Sequence, residues 1–391
     1  MGRGRAVGLA ALGLVVATAL LATWSTNLTG AREAVLTLAS PRPPQLTLRP
    51  GSRVLVTGGA GFIGFHLCRR LHSSGVRVVA LDNFDPYYSQ ALKRAREARL
   101  SKMGVRVVEG DMCDTGLLTR LIMEHRITHV ASMAAQAGVR YSLSHPQAYV
   151  RANVECFVSL LEALRTSTGV PLVYASSSSV YGANTKIPFS ESDRIDNPSS
   201  LYAATKKADE AIAHVYHSLY GLSVTGLRFF TVYGPWGRPD MAYFSFTHRI
   251  SHGRPIQVYA RGSMRRDFTY IDDVVGGIVA ALALGAPEEI FNLGNHRTET
   301  LSHFISVLER ELGQPANKTM TAMALGDVPV TYADIDHARD KLGYEPSTTI
   351  DVGLHRFVQW YRSDDFLPEY AEVGDWNADS AKESLRIPRR S

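Results

Sequence analysis

Residues 53–64 read RVLVTGGAGFIG. An apolar, β-branched run enters a loop with glycines at 58, 61 and 64, and an apolar stretch of helical period leaves it. This spacing restricts the fold more than any other feature of the chain. Gly58 permits a tight turn, Gly61 lets backbone approach a pyrophosphate, and Gly64 lets helix and strand pack closely. The helix N-terminus, through Phe62 and Ile63, then offers oriented N–H groups to an anion. The next β-branched run ends in VVALDNF, residues 78–84, which places Asp82 where a ribose hydroxyl would be read, with Asn83 beside it. An acid at that place repels a 2′-phosphate, so the expected cofactor is NAD rather than NADP.

The rest of the chain repeats the alternation. Short β-branched runs at 53–57, 76–81, 105–108, 128–131, 170–175 and 222–228 are separated by helix-period segments such as 62–74, 114–126, 147–166 and 201–219. Strands alternating with helices predict an α/β fold, a doubly wound parallel sheet covered on both faces. After Phe230 the alternation weakens. A smaller, discontinuous C-terminal α/β lobe is expected there, over the carboxyl edge of the sheet where ligands bind in such folds. The expected units are 52–230 for the dinucleotide-binding domain and 231–363 mainly for a substrate lobe, with 264–285 returning to the first domain. A polar tail over 364–391 is expected to lie outside the core.

The amino-terminal part has its own logic. Residues Ala6 to Trp24 carry no charge and follow Arg3 and Arg5. At 1.5 Å per residue that run nearly spans a hydrocarbon core, and positive flanks favour the cytosol. The expectation is a cytosolic stub 1–5, a single transmembrane signal anchor 6–24 and a Pro-containing stem 25–51, with the remainder lumenal. The alternative is a cleaved signal peptide, with Ala17-Thr18-Ala19 as a small-residue site.

The net charge of +5 is modest, and part of it sits in MGRGR and RIPRRS at the two ends. It points to no nucleic-acid face, while leaving room for a basic pocket that takes an anionic substrate. The three cysteines, Cys68, Cys113 and Cys156, have no zinc spacing. Their odd number suggests no disulfide framework, so each is expected to fill an apolar gap. Sequons occur at Asn27 and Asn317.

Two clusters carry chemistry. Residues 174–182 read YASSSSVYG, four hydroxyls at the end of an apolar run. Tyr202 and Lys206, in YAATK, share one helix face at i and i+4. An ammonium beside a phenol favours the phenolate, which makes Tyr202 a candidate general base.

Together with AAQAGVR at 134–140, RFFTVYGPWGRPDM at 228–241 and RRDFTYIDD at 265–273, these residues resemble the extended short-chain dehydrogenase/reductase family over roughly residues 52–362. Within that family the similarity is closest to the UDP-glucuronate 4-epimerases. The resemblance implies a Rossmann sheet, bound NAD and no metal. It implies reversible 4-epimerisation of UDP-glucuronate to UDP-galacturonate through a 4-keto sugar. Tyr202 would be the base, Lys206 its partner, and Ser177 the hydroxyl bound to the sugar's 4-oxygen. Asp111 and Met112 would meet adenine, and Gln136 the cofactor. Asn153 would support the site from its helix. Arg140 would point to the substrate, Arg238 would meet the carboxylate or the diphosphate, Arg266 the diphosphate, and Gln257 would lie near uridine.

Related dehydratases and decarboxylases carry an acid beside the V-Y-G segment. Here Ser178 and Ser179 stand instead, and Thr231 replaces the Asn of many relatives. Hydroxyls can donate to a substrate carboxylate that an acid would repel. Held out of line with the C4 ketone, that carboxylate would not be lost as carbon dioxide. The alternatives are UDP-glucuronate decarboxylation and 4-epimerisation of a neutral UDP-sugar. The resemblance further implies a homodimer built on paired helices, and the anchor implies a type II protein of the Golgi membrane.

Overall fold

The computed structural model describes residues 46–167, 169–322 and 330–372. The expected anchor and most of the stem lie outside these residues, as does Asn27. Among the described residues no helix is long and apolar enough to cross a membrane.

Strands β1 (Arg53–Thr57), β2 (Arg77–Asp82), β3 (Arg106–Glu109), β4 (His129–Ser132), β5 (Leu172–Ser177) and β6 (Val224–Phe229) form one parallel sheet. Its order is Glu288–Leu293, β6, β5, β4, β1, β2, β3. The chain reverses its direction of winding between β1 and β4, and a crevice opens at the carboxyl ends of strands at such a point. Thr57 is in register with Ser132, and Ser132 with Tyr174. The glycine loop, the loop after β4 and the serine run therefore leave the sheet side by side.

Both faces are buried because successive side chains point to opposite sides. Val54 and Val56 join one apolar cluster with Phe65, Cys68 and Leu71 of helix Phe62–Ser73. Leu55 joins the other, with Leu118, Leu121, Phe157, Leu160 and Ala213 from the helices on the far side. Fully buried strands read as continuous apolar runs, and that is why six of them were legible.

Three expectations require correction. Strand Glu288–Leu293 pairs in parallel with β6, so these residues belong to the main sheet and not to the smaller lobe. Its outer half, Glu288-Glu289, is acidic and hid the strand pattern. The segment after Ser363 is not wholly outside the core. Tyr370 is buried, Phe366 packs on Phe244, Trp360 and Tyr361, and Ser89 N donates to Glu372 O at 3.0 Å. Two aromatic residues among charges are enough to seat the segment. Finally, Cys113 and Cys156 are joined as a disulfide, leaving Cys68 buried and free. The turn after β3 meets the helix that precedes β5, a juxtaposition made by the topology and invisible in a spacing of 43 residues.

Past Phe230 the chain builds short two-stranded ladders: Thr231–Tyr233 with Phe268–Tyr270, Arg265–Arg266 with Glu299–Thr300, and Ile256–Tyr259 with Lys318–Thr321. The first of these sets Thr231 in register with Phe268, beside the carboxyl end of β6.

Candidate active site

A cleft of about 460 Å³ runs along the carboxyl edge of the sheet. Gly58, Gly61, Phe62, Ile63, Gly64, Asp82, Asn83, Asp111, Met112 and Gln136 line one part of it. Ser177, Ser178, Ser179, Tyr202, Lys206, Thr231, Arg238 and Arg266 line the rest. Two nominated residues are placed elsewhere. Gln257 is exposed on its strand and accepts from Tyr259 Oη at 3.0 Å. Arg140 lies over the Tyr259 ring at 4.9 Å. Neither lines the cleft.

The glycine loop is shaped as a cradle. Gly58 has φ of +69°, and a Cβ there would lie 2.7 Å from Ala134 N. A Cβ on Gly64 would meet the Gly58 carbonyl oxygen. Asp82 Oδ2 accepts from Ala60 N and Oδ1 from Phe84 N, each at 2.9 Å. The carboxylate thus pins the loop while it faces the cleft. These residues fit NAD: glycines where side chains would block a pyrophosphate, a helix N-terminus, and an acid at the end of β2.

Asn153 lies in a π-helical turn, Val150–Glu155, a distortion often found at functional sites. Its Oδ1 accepts from Gln136 N at 2.8 Å, and its Nδ2 donates to Gln136 O at 3.1 Å and Thr205 Oγ1 at 3.0 Å. One side chain therefore ties the loop after β4 to the helix that bears Tyr202. That helix, Leu201–Tyr220, is capped by Ser200, whose hydroxyl accepts from Ala203 N at 3.1 Å. The Tyr149 ring meets the Tyr202 ring edge-on at 6.0 Å. Ser132 accepts from Thr57 Oγ1 at 3.2 Å, and Met133 lines the cleft.

The four serines divide their work. Ser176 is buried and donates to Glu210 Oε1 at 2.6 Å. Glu210 is paired side-on with Arg228, at 2.9 and 2.8 Å. Arg228 also donates to Tyr181 Oη at 3.0 Å, and Tyr181 to Asn292 Oδ1 at 2.7 Å. This buried network anchors the end of β5. The next residue, Ser177, accepts from Ser179 Oγ at 2.9 Å and Ser179 N at 3.2 Å. Its own hydroxyl proton is left to point elsewhere. Ser179 is thus turned back on Ser177 in this structure, which leaves Ser178 and Thr231 as the hydroxyls of this pair of segments that a substrate carboxylate could meet.

Arg238 is also committed. Its guanidinium forks onto Asp240, at 3.0 and 2.6 Å, and Tyr87 Oη donates to the same carboxylate at 3.1 Å. Burial, helped by Asp240, pushes the Tyr87 phenol well up from its ordinary range.

Sequence reasoning missed several residues. Lys93 lines the cleft and donates to Asp85 O at 2.7 Å. Arg96 is fully buried and donates to Ala60 O, Trp236 O, Gly237 O and Tyr88 Oη. It clamps the glycine loop to the segment that carries Arg238. Both sit in the stretch KRAREAR, which has the composition of a solvated helix. The helical spacing of Leu92, Arg96 and Leu100 was the available signal.

A glycine-loop crevice with a Tyr-Lys pair and a serine at its far end defines a nucleotide-dependent enzyme of the short-chain dehydrogenase type. The chain belongs to the NAD dependent epimerase/dehydratase family, whose model matches residues 54–294. It is 51% identical over 331 residues to UDP-glucuronate 4-epimerase 1 of Arabidopsis thaliana, covering 80% of this chain and 77% of that one. Among solved structures it resembles the UDP-glucuronic acid 4-epimerase of Bacillus cereus in complex with UDP-glucuronic acid and NAD. That match has a TM-score of 0.74 and 34% identity, over 79% of this chain and 98% of the other. It also resembles the UDP-glucose 4-epimerase of Thermotoga maritima with UDP-glucose, with a TM-score of 0.73 and 30% identity, over 79% and 98%.

Proposed function

We propose that this chain is an NAD-dependent isomerase that interconverts UDP-glucuronate and UDP-galacturonate by inverting C4. The observation that carries the choice of sugar is the distribution of charge along the cleft. Among the described residues, every carboxylate that lines it, Asp82, Asp85 and Asp111, lies at or beyond the carboxyl end of β2 or β3. The end with Ser177, Tyr202 and Lys206 is lined by the hydroxyls of Ser178 and Thr231. A substrate carboxylate meets donors there and no like charge.

The glycine loop, Asp82, Asn83, Asp111, Met112 and Gln136 hold the cofactor. When bound, NAD would supply the hydride acceptor and donor at C4. Tyr202 takes the proton of the C4 hydroxyl, Lys206 stabilises the phenolate, and Ser177 donates to the 4-oxygen. The 4-keto sugar then turns so that its other face is reduced. Ser178 and Thr231 hold the carboxylate out of line with the ketone and so oppose loss of carbon dioxide. Arg266 meets the diphosphate.

The test is product analysis by anion-exchange chromatography and proton NMR after incubation of the full chain with UDP-glucuronate. UDP-galacturonate is expected, and UDP-xylose as the main product would overturn the reading. Each hydrogen bond to a charged group contributes about 1.5–3 kcal/mol. The double variant Ser178→Ala, Thr231→Ala should therefore raise the ratio of UDP-pentose to epimer by about tenfold or more.

The reading extends to place and assembly. The uncharged run Ala6 to Trp24 behind Arg3 and Arg5 supports a type II signal anchor with the enzyme in the Golgi lumen. Exposed Val215, Leu219 and Tyr220 on helix Leu201–Tyr220 support a homodimer through that helix.

A further inference from the structure

Tyr202, Lys206 and Asp209 fall at i, i+4 and i+7 on helix Leu201–Tyr220, one stripe of its surface. Lys206 Nζ lies 2.9 Å from Asp209 Oδ2, and the two side chains are only 4% and 2% exposed. The lysine assigned to Tyr202 is thus paired with a buried carboxylate. Among the described residues Asp209 Oδ1 has no hydrogen-bond partner, so within them its hold on Lys206 is the one hydrogen bond this carboxylate makes.

The surrounding charges are accounted for. Glu210, next on the same helix, is matched by Arg228 from β6 and bonded by Ser176 from β5. Tyr174 of β5 also faces this group, and burial, then Glu210 and Asp209, push its phenol well up, so it stays neutral. Burial pushes the Asp209 carboxyl up to about 6, against the pull of Lys206 and with a further push from Glu210. Asp209 is therefore largely ionised at neutral pH, and Lys206 is the cation that answers it.

We propose that Asp209 is a positioning residue for proton transfer: it fixes Lys206 Nζ on the inner face of the helix and offsets part of the positive charge that Lys206 presents to Tyr202. This rests on reading Tyr202 as the base. An unopposed cation would hold the phenolate so firmly that it became a weak base, and the Asp209 carboxylate moderates that.

The sign of the test follows from charge. Asp209→Asn keeps the shape and an oxygen acceptor for Lys206 while removing the negative charge, so the Tyr202 phenolate should become easier to form. The acidic limb of the kcat profile should move to lower pH by roughly half a unit or more, with KM changed by less than about twofold. Asp209→Glu should restore the wild-type limb. In parallel, the Cζ resonance of Tyr202 is followed by NMR in the tyrosine-labelled full chain, assigned with Tyr202→Phe. It should titrate at lower pH in Asp209→Asn than in wild type. A limb and a resonance that stay in place, or move to higher pH, overturn the proposal. Should Asp209→Asn not fold, Asp209→Ser is read in the same way. If wild type makes no UDP-galacturonate yet the resonance moves as expected, the assigned reaction fails and the role of Asp209 stands. If wild type epimerises and the resonance does not move, the reverse holds.

Discussion

Tyr202→Phe is expected to lower kcat by about three orders of magnitude with little change in KM or in NAD binding. The phenyl ring keeps its edge-on contact with Tyr149 at 6.0 Å, and the helix keeps its Ser200 cap. Only the acid–base hydroxyl is lost. A positioned general base contributes roughly 100- to 10,000-fold, and a group that acts in the transition state alone changes kcat rather than KM. Steady-state kinetics on UDP-glucuronate, with bound NAD measured by absorbance after denaturation, separates the two quantities. Activity within about tenfold of wild type would remove Tyr202 from its role.

The second large effect concerns stability. Arg228→Met should cost about 3–5 kcal/mol, because it leaves Glu210 buried and unpaired. Arg228 and Glu210 are 3% and 5% exposed and joined by two hydrogen bonds. Burial alone would lower the Arg228 guanidinium, yet Glu210 holds it above its usual range. At this chain length the loss should lower Tm by roughly 4–6 °C. The double variant Arg228→Met, Glu210→Leu should recover most of that loss, since matched apolar side chains can replace a buried pair at little cost. Thermal and urea melts of the single and double variants check both statements. A single variant within about 1 kcal/mol of wild type would show that the network does not anchor the sheet. Activity should fall as well, because Ser176 donates to Glu210 and precedes Ser177 in the chain.

Much of this site was legible because its parts are local. The glycine loop and Asp82 lie on one β-α-β unit, and Tyr202 and Lys206 on one helix face. Asn153 could be named from its motif, although its bonds to Gln136 and Thr205 could not. What escaped the sequence depends on distant partners. Arg96 looks like one more charge on a solvated helix until the chain brings Trp236 and Gly237 over it. Arg238 reads as a free cation, yet Asp240 sits two residues on and takes its fork. The serine run reads as a uniform cradle. In the fold Ser176 turns to the core and Ser179 turns back to Ser177, because strand alternation gives way there to the 3-10 turn Ser178–Tyr181. Cys113 and Cys156 meet only because the turn after β3 and the helix before β5 flank the same crevice.

The most direct test of the central claim uses UDP-glucuronate deuterated at C4, incubated with the full chain and NAD in ordinary water. Oxidation and re-reduction at one carbon within one cleft require the label to stay where it began. The expected product is UDP-galacturonate with deuterium retained at C4 and none in the solvent. Deuterium lost to water, or epimer formed with hydrogen at C4, would contradict the account.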